Sequence, residues 1–262
     1  MDKSIPKIRV CVPYPNHGAI SSETQNSLTL LKKCPDFFVE ILEIQGSSIS
    51  VLRNIGVNKG CSEKIKQELG DFDYYLSVDA DIAFTPEHLS QLMKHDLDIV
   101  GAAYQYRAQT DLIVAGLFDS CEGDVRNEYF LPIHASGLKE VDWIGAGFTL
   151  IKKRVFETMD YPWYREQIVE YEERDEKCAK WVGEDVGFCL GARKQGFKVF
   201  CDCDCRVRHL INAKGPISKL SLLDKETYTL DEAAGMAFEM LDQVKVLVSG
   251  FHRGLKEVEG KI

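Results

Sequence analysis

The amino-acid sequence predicts an α/β fold with a mostly parallel β-sheet flanked by helices. Short apolar segments that predict buried strands alternate with helical patterns over roughly the first hundred residues. Pro, Gly and Asn separate many of these segments, as expected for turns between regular elements. Hydrophobic residues make up 45% of the 262 residues, which supplies the apolar surface for a proper core. Strand–helix alternation of this kind is typical of parallel sheets.

The elements follow one another in a regular order. Strands are predicted by the apolar runs at 8–13, 37–44, 74–78, 98–104, 141–151 and 198–207. A helix is predicted from an N-cap at Ser21 or Ser22 to about Lys33, and another begins with the cap and proline at Thr85 and Pro86. Further helices are predicted at 51–69, 153–159 and 186–194. Residues 105–140 predict a hairpin and loop, and the charged segment 165–180 a solvated loop or surface helix.

The character of the chain changes after Leu210. Residues 212–216 predict a mobile loop, and residues 230–248 carry a helical pattern. We therefore expect a main domain over 1–210, followed by a mobile loop and a C-terminal helical segment over 211–262.

The charge and the apolar runs limit the partners and the location. The net charge is -9 and the sequence pI is near 5.3, which disfavours a protein that grips nucleic acid through phosphates. No stretch approaches the roughly 18 apolar residues of a membrane span. The first residues lack the apolar run of a secretory signal, so a cytoplasmic location is expected.

Nine cysteines, an odd number scattered along the chain, do not predict a disulfide framework. Cys201, Cys203 and Cys205 alternate with two aspartates, so a regular strand would place all three thiols on one face. No second pair of zinc ligands lies at a suitable spacing nearby. Buried strand cysteines are therefore the favoured interpretation over a metal site.

Asp79 and Asp81 directly follow a predicted buried strand. Ligands of open α/β sheets bind at the carboxyl ends of strands. Two carboxylates one residue apart there can approach one divalent cation, which prefers oxygen ligands. The alternative is a turn that simply caps the next helix.

Asp185 and His209 are further candidates. Asp185 lies at the start of a predicted helix, whose free N–H groups favour the carboxylate anion and so suit a general base. His209 follows the last predicted strand, where an imidazole can complete a metal site begun by carboxylates. An ordinary cap and a structural histidine are the alternatives that the residues alone leave open.

The order of these signals resembles the GT-A glycosyltransferase fold, and in particular family 2. The pattern has a D-x-D after a strand, a strand with Gly145-Ala146-Gly147, Trp181-Val182-Gly183-Glu184-Asp185 before a helix, and Val207-Arg208-His209-Leu210 after a strand. The resemblance covers residues 8–210. It implies a GT-A (Rossmann-like) sheet and a metal-dependent enzyme of the hexosyltransferase type, which moves a sugar from a nucleotide-sugar to a hydroxyl acceptor.

The resemblance also implies roles for single residues. Asp185 would be the general base of an inverting reaction. Asp81 and His209 would hold Mn²⁺ or Mg²⁺, with Asp79 nearer the ribose or the waters of the metal. The other residues expected to contact the nucleotide are Pro13, Tyr14, Gln45, Arg53, Asn54 and Ala80. The donor sugar and acceptor are expected to meet at Trp143, Gly145, Ala146, Gly147 and Glu184.

The residues leave more than one possibility open for the donor, the acceptor and the reaction. A UDP-sugar is the favoured donor, but Gln45 stands where many family members carry an acidic residue that reads uracil, so a GDP-sugar is also considered. The acceptor would be a glycan, a lipid-linked molecule or another hydroxyl compound. A nucleotidyltransferase acting on sugar phosphate, a non-catalytic nucleotide- or glycan-binding protein, and a transferase acting on DNA are the rival hypotheses. The absence of the Arg-x-x-Arg-Trp pattern disfavours a processive polysaccharide synthase.

Overall fold

A computed structural model describes residues 5–58, 69–121, 124–173 and 176–210, with backbone alone for the parts of 119–128 and 171–178 in those ranges. The strands are β1 Lys7–Pro15, β2 Phe38–Gly46, β3 Tyr74–Val78, β4 Ile82–Ala83, β5 Ile99–Ala103, β6 Leu112–Cys121, β7 Asp124–Pro132, β8 Leu138–Val141, β9 Trp143–Ile144, β10 Phe148–Lys152, β11 Gln167–Glu173, β12 Glu176–Val182, β13 Val199–Arg206 and β14 Arg208–His209. The helices are α1 Ser22–Lys33, α2 Ile49–Val57, α3 Pro86–Lys94, α4 Lys153–Thr158 and α5 Glu184–Lys194.

Seven strands form one large sheet in the order β2-β1-β3-β10-β5-β13-β8. β1 pairs in parallel with β2 and β3, and β5 pairs in parallel with β13. β10 lies antiparallel between β3 and β5, and β8 lies antiparallel to β13 at the edge. Because β10 is reversed against both neighbours, β5 runs in the same direction as β3. All the strands except β10 and β8 therefore run the same way, which confirms the mostly parallel sheet.

Helices flank both faces of this sheet because its buried strands alternate their side chains between two cores. Ile8, Val10 and Val12 of β1 join one core cluster, which also receives apolar residues of α1 and α3. Cys11 joins the other cluster, together with residues of α2, α4 and α5. The expected helix-flanked sheet is thus confirmed.

Local sequence signals set two helix starts. The side chain of Ser21 accepts a hydrogen bond from the Thr24 N–H at 3.0 Å, and α1 begins at the next residue. Thr85 precedes Pro86, the first residue of α3, and His88 completes a capping box with Thr85. Both predicted starts are confirmed.

The prediction for the charged segment 165–180 was wrong, since this segment forms most of the β11–β12 hairpin. Val169 packs against the core and Val182 is buried, whereas the opposed pair Ile168 and Trp181 is 51% and 70% exposed. Only a few apolar residues carry this alternation of period two, and the surrounding charges concealed it.

The prediction of one continuous strand over 141–151 was also wrong. The segment between Ile144 and Phe148 leaves the ladder, so that β9 pairs with β6 in a three-stranded sheet and β10 enters the large sheet. Gly145 and Gly147 pack against the Tyr104 ring, where an added Cβ would come within 2.2 and 2.7 Å of its atoms. Close packing on this ring requires the small residues that interrupt the strand.

The three thiols of β13 do not share a face, contrary to the prediction. The side chain of Asp202 accepts hydrogen bonds from the N–H groups of Asp204 and Cys205 at 3.0 and 3.2 Å, and the register shifts there. Cys201 and Cys203 therefore join one core cluster and Cys205 the other. All three are free and buried, as the favoured interpretation expected.

Some predictions lie outside the described residues. They are the second half of the 51–69 helix, the loop at 212–216, and the C-terminal helical segment with its domain boundary. Among the helices of the described ranges, none has both the length and the apolar character that a membrane crossing requires.

Candidate active site

Several of the predicted site residues lie at the carboxyl edge of the large sheet. Tyr14 and Gln45 are register partners at the ends of β1 and β2. Asp79 directly follows β3, and its N–H donates to the carbonyl of Gly147 at 3.0 Å. The strand order reverses direction at β1, which lies between β2 and β3. A crevice outside the strand ends at such a switch point is where open α/β sheets bind ligands.

A buried arginine links two of the acidic residues. Arg53 of α2 donates from Nη2 to Asp79 Oδ1 at 2.6 Å and from Nε to Glu184 Oε1 at 3.1 Å. Its Nη1 also donates to the hydroxyl of Ser77. Arg53 is 3% exposed, so the D-x-D turn and the start of α5 are joined through one internal cation.

Arg53 stays protonated in this position. Burial lowers the pKa of a guanidinium, but Asp79 and Glu184 outweigh it and raise the pKa of Arg53 well above its ordinary value. The ring of Tyr164 lies 5.9 Å from the guanidinium carbon. Arg53, predicted to contact the nucleotide, is thus placed as an internal link between carboxylates.

Asp185 follows Glu184 in the first turn of α5 and is partly buried. Its Oδ1 accepts the N–H of Val186 at 2.8 Å. Burial, and then the neighbouring carboxylate of Glu184, raise the pKa of Asp185 to about 6. The sequence predicted that the helix N-terminus would favour the anion, but burial and like charge outweigh the N–H groups.

Tyr104 packs against the glycine segment and against His209. Its hydroxyl accepts the N–H of Gly147 at 3.0 Å, and its ring meets His209 edge to face at 5.6 Å. Burial, followed by the charges of Asp79 and Asp185, raises the pKa of Tyr104 well above its ordinary value. Tyr104 therefore remains a neutral phenol near these acids.

A second group contains Asp81, His209 and Arg107. His209 Nε2 lies 3.4 Å from Asp81 Oδ2, and Arg107 Nη2 contacts the same oxygen. His209 Nδ1 lies 2.8 Å from the carbonyl of Gln105, which can only accept, so Nδ1 carries a proton. Burial would raise the pKa of Asp81, but His209 and Arg107 outweigh it and lower that pKa. Burial would lower the pKa of His209, but its hydrogen bonds to Asp81 and Gln105 raise it.

The Asp81–His209 pair fits part of a divalent-cation site. A ligating histidine ordinarily donates its other N–H to a carbonyl or carboxylate, as Nδ1 of His209 does here. One carboxylate and one imidazole leave positions for phosphate oxygens and waters, as is common for Mg²⁺. Asp79 is engaged with Arg53 instead. Within the described part of the chain, no group of three or more His, Cys, Asp or Glu side chains is close enough to hold a metal.

The predicted nucleotide-contacting residues divide between edge and interior. Tyr14 is partly exposed, and the exposed Gln45 donates from Nε2 to the carbonyl of Asn16 at 3.1 Å. Ala80 is partly exposed, and Pro13 is buried. Asn54 is 5% exposed, and its amide bonds the carbonyl and N–H of Tyr164 at 2.6 and 3.1 Å. Asn54 therefore fixes the segment before the β11–β12 hairpin.

The predicted sugar-contacting residues lie deep in the structure. Trp143 and Ala146 are 2% and 5% exposed, and the glycines on either side of Ala146 are also buried. The Trp143 ring meets Phe130 edge to face at 4.9 Å. Glu184, 19% exposed at its side chain, is the predicted sugar contact with the most accessible polar group.

Ser77, Tyr104 and Arg107 belong to the site but were not among the residues predicted from the sequence. Ser77 and Tyr104 had a detectable signal, because each lies at or next to the carboxyl end of a predicted parallel strand. Arg107 carried no local signal, since it stands in a loop of irregular sequence. Its contact with Asp81 depends on the tertiary fold alone.

No family model and no curated protein matches the chain. Among solved structures, the crystal structure of A197 from STIV aligns with a TM-score of 0.44 and 16% identity, over 75% of this chain and 81% of that one. At this level of similarity, the match assigns neither a family nor an activity to the chain.

Proposed function

We propose that the protein is a metal-dependent GT-A glycosyltransferase, which moves a sugar from a nucleotide-sugar to a hydroxyl acceptor. One observation carries the proposal: the D-x-D turn and the Glu184-Asp185 turn meet at the carboxyl edge of the sheet, joined by Arg53. Acidic residues from distant parts of the chain thus converge where an α/β sheet binds its ligand. The order of motifs that resembles family 2 supports the same assignment.

Asp185 is proposed as the general base. A pKa of about 6 leaves the carboxylate mostly ionised at neutral pH and still able to take up a proton. The acceptor hydroxyl gives its proton to Asp185 as its oxygen bonds to the anomeric carbon. The bond from that carbon to the diphosphate breaks, and the nucleoside diphosphate leaves with the electron pair. Attack from the opposite face inverts the anomeric configuration.

The other residues bind and orient the donor. Asp81 and His209 would hold a divalent cation, Mn²⁺ or Mg²⁺, which would offset negative charge on the departing diphosphate. Asp79, which pairs with Arg53, would lie nearer the ribose or the waters of the metal. Tyr14 and Gln45 would flank the base of a UDP- or GDP-sugar at the ends of β1 and β2.

A donor panel tests this proposal. The protein is incubated with UDP-, GDP-, dTDP- and CMP-sugars, with Mn²⁺ or EDTA, together with a mixed set of glycoside acceptors, and free nucleotide is measured. We expect release from one nucleotide class, abolished by EDTA and by Asp81→Ala. The variant Asp98→Ala is the matched control, because Asp98 precedes β5 at the opposite edge of the sheet.

Two other outcomes would contradict the proposal. Pyrophosphate release from a nucleoside triphosphate and a sugar phosphate would favour the nucleotidyltransferase. Release that EDTA and Asp81→Ala leave unchanged would remove the metal and the D-x-D turn from the reaction.

A further inference from the structure

One nitrogen of Arg107 lies where a cation held by Asp81 and His209 would lie. Nη2 contacts Asp81 Oδ2 and stands 3.4 Å from His209 Nε2. The protonated Nδ1 of His209 leaves the Nε2 lone pair directed at this group when the imidazole is neutral. A single positive group therefore meets both proposed metal ligands at once.

The two ligands are fixed, whereas Arg107 is free to leave. His209 pairs with Ile82 in the β14–β4 ladder, and the N–H of Leu210 donates to the carbonyl of Asp81 at 2.7 Å. The side chains of Asp81 and His209 are only 29% and 9% exposed, but that of Arg107 is 63% exposed. The guanidinium can thus withdraw while the backbone that carries Asp81 and His209 stays in place.

The loop that carries Arg107 keeps the withdrawn side chain near the site. The loop is closed by hydrogen bonds from the Tyr106 N–H to the Leu112 carbonyl at 2.8 Å and from the Leu112 N–H to the Gln109 carbonyl at 3.2 Å. A divalent cation competes with the guanidinium for the same carboxylate oxygen and repels it. A diphosphate on that cation would offer the guanidinium new oxygens, which it binds in bidentate fashion.

We propose, on the basis of the proposed function, that Arg107 occupies the cation position at Asp81 and His209 and becomes a diphosphate ligand once the cation displaces it. Arg107 therefore opposes binding of the bare cation and favours binding of the cation with its diphosphate. Removing Arg107 should therefore change the affinity for the bare cation and the affinity for the cation with its diphosphate in opposite directions. The loss of a purely structural arginine would not do this.

The test measures Mn²⁺ binding by electron paramagnetic resonance, first with the metal alone and then with pyrophosphate, UDP or GDP. For Arg107→Ala we expect binding of Mn²⁺ alone to tighten about 2- to 5-fold, the range for removing an exposed ion pair. Binding of Mn²⁺ with pyrophosphate should weaken about 10-fold or more, as for a lost charge-assisted hydrogen bond. Pyrophosphate makes this result independent of the nucleotide base.

Arg154→Ala is the matched control. Arg154 is 64% exposed and pairs with Asp98, itself 20% exposed, at the opposite edge of the sheet. Its removal should change neither constant. Arg107→Lys, which keeps the charge without the planar fork, should fall between wild type and Arg107→Ala for pyrophosphate.

The outcomes separate this inference from the proposed function. If wild type binds Mn²⁺ with UDP or GDP, and Arg107→Ala matches it for both the bare and the complexed metal, the role of Arg107 is refuted. If Asp81→Ala binds these complexes as well as wild type does, the proposed metal site itself fails. If Arg107→Ala tightens, or weakens, the binding of both Mn²⁺ alone and Mn²⁺ with pyrophosphate, the proposed exchange of Arg107 between the carboxylate and the diphosphate would also be refuted.

Discussion

Asp185→Asn should make the protein more stable and less active. The amide keeps an oxygen for the Val186 N–H and removes the charge that burial and Glu184 disfavour. The pKa of Asp185 is raised from 3.8 to about 6, and each unit corresponds to about 1.4 kcal/mol. The ionised carboxylate therefore costs up to about 3 kcal/mol of folding free energy at neutral pH. An ordinary helix cap would give no such gain.

The stabilisation should depend on pH in a defined direction. Above pH 6 the carboxylate is ionised in both folded and unfolded chains, so the full cost is present. As the pH falls from 6 to below 4, Asp185 becomes protonated in both states and the cost disappears. Thermal unfolding in EDTA at pH 7.5 and pH 4 measures this, with a shift of roughly 2–4 °C expected per kcal/mol.

Glu184→Gln is the matched control at the neighbouring position. Glu184 pairs with buried Arg53, so its neutralisation should lower the melting temperature at pH 7.5, opposite to Asp185→Asn. In the reaction, Asp185→Asn should lower turnover about 10²–10⁴-fold and leave donor binding nearly intact. A less stable Asp185→Asn at pH 7.5, or a gain that does not change with pH, would refute the reasoning.

The remaining predictions concern groups that hold the site in place. Arg53→Leu leaves the carboxylates of Asp79 and Glu184 without this partner and should lower the free energy of unfolding in urea by about 3–5 kcal/mol. Unchanged stability would show that Arg53 does not link the two carboxylates. Gly187→Ala places a Cβ 1.9 Å from the Arg165 carbonyl oxygen and should lower the free energy of unfolding by about 1–3 kcal/mol. An unaltered melting curve would mean that the backbone at Arg165 shifts away without cost. Burial would raise the pKa of Asp202, but hydrogen bonds led by His95 lower it, so Asp202→Asn should cost about 1–3 kcal/mol at pH 7. That difference should shrink below about pH 4, and a loss that is constant with pH would contradict it.

Much of the fold could be predicted because local chemistry decides it. The Ser21 cap, the Thr85-Pro86 start and the apolar run of β3 each specify their element within a few residues. Parallel direction follows from helical crossovers between strands. The prediction for the charged hairpin failed because only a few apolar residues carry its alternation of buried and exposed side chains. Two of its apolar residues, Ile168 and Trp181, are exposed.

The sequence allowed the positions of several site residues in the fold to be predicted, but not the side chains that they contact. Asp79 and Asp185 were found because strand ends and helix starts are readable in sequence. Arg53 was assigned to the nucleotide, but its pairing with Asp79 and Glu184 arises only when the tertiary fold brings α2, the D-x-D turn and the start of α5 together. Arg107 had no signal, since only the tertiary fold brings its loop to Asp81.

The most direct test of the proposed function is calorimetric binding of UDP and GDP, because it needs no acceptor. We predict that one of them binds with Mn²⁺ present, and that EDTA or Asp81→Ala abolishes the binding. Failure of both nucleotides to bind in the presence of Mn²⁺ would contradict the transferase, as would binding that is indifferent to both EDTA and Asp81→Ala.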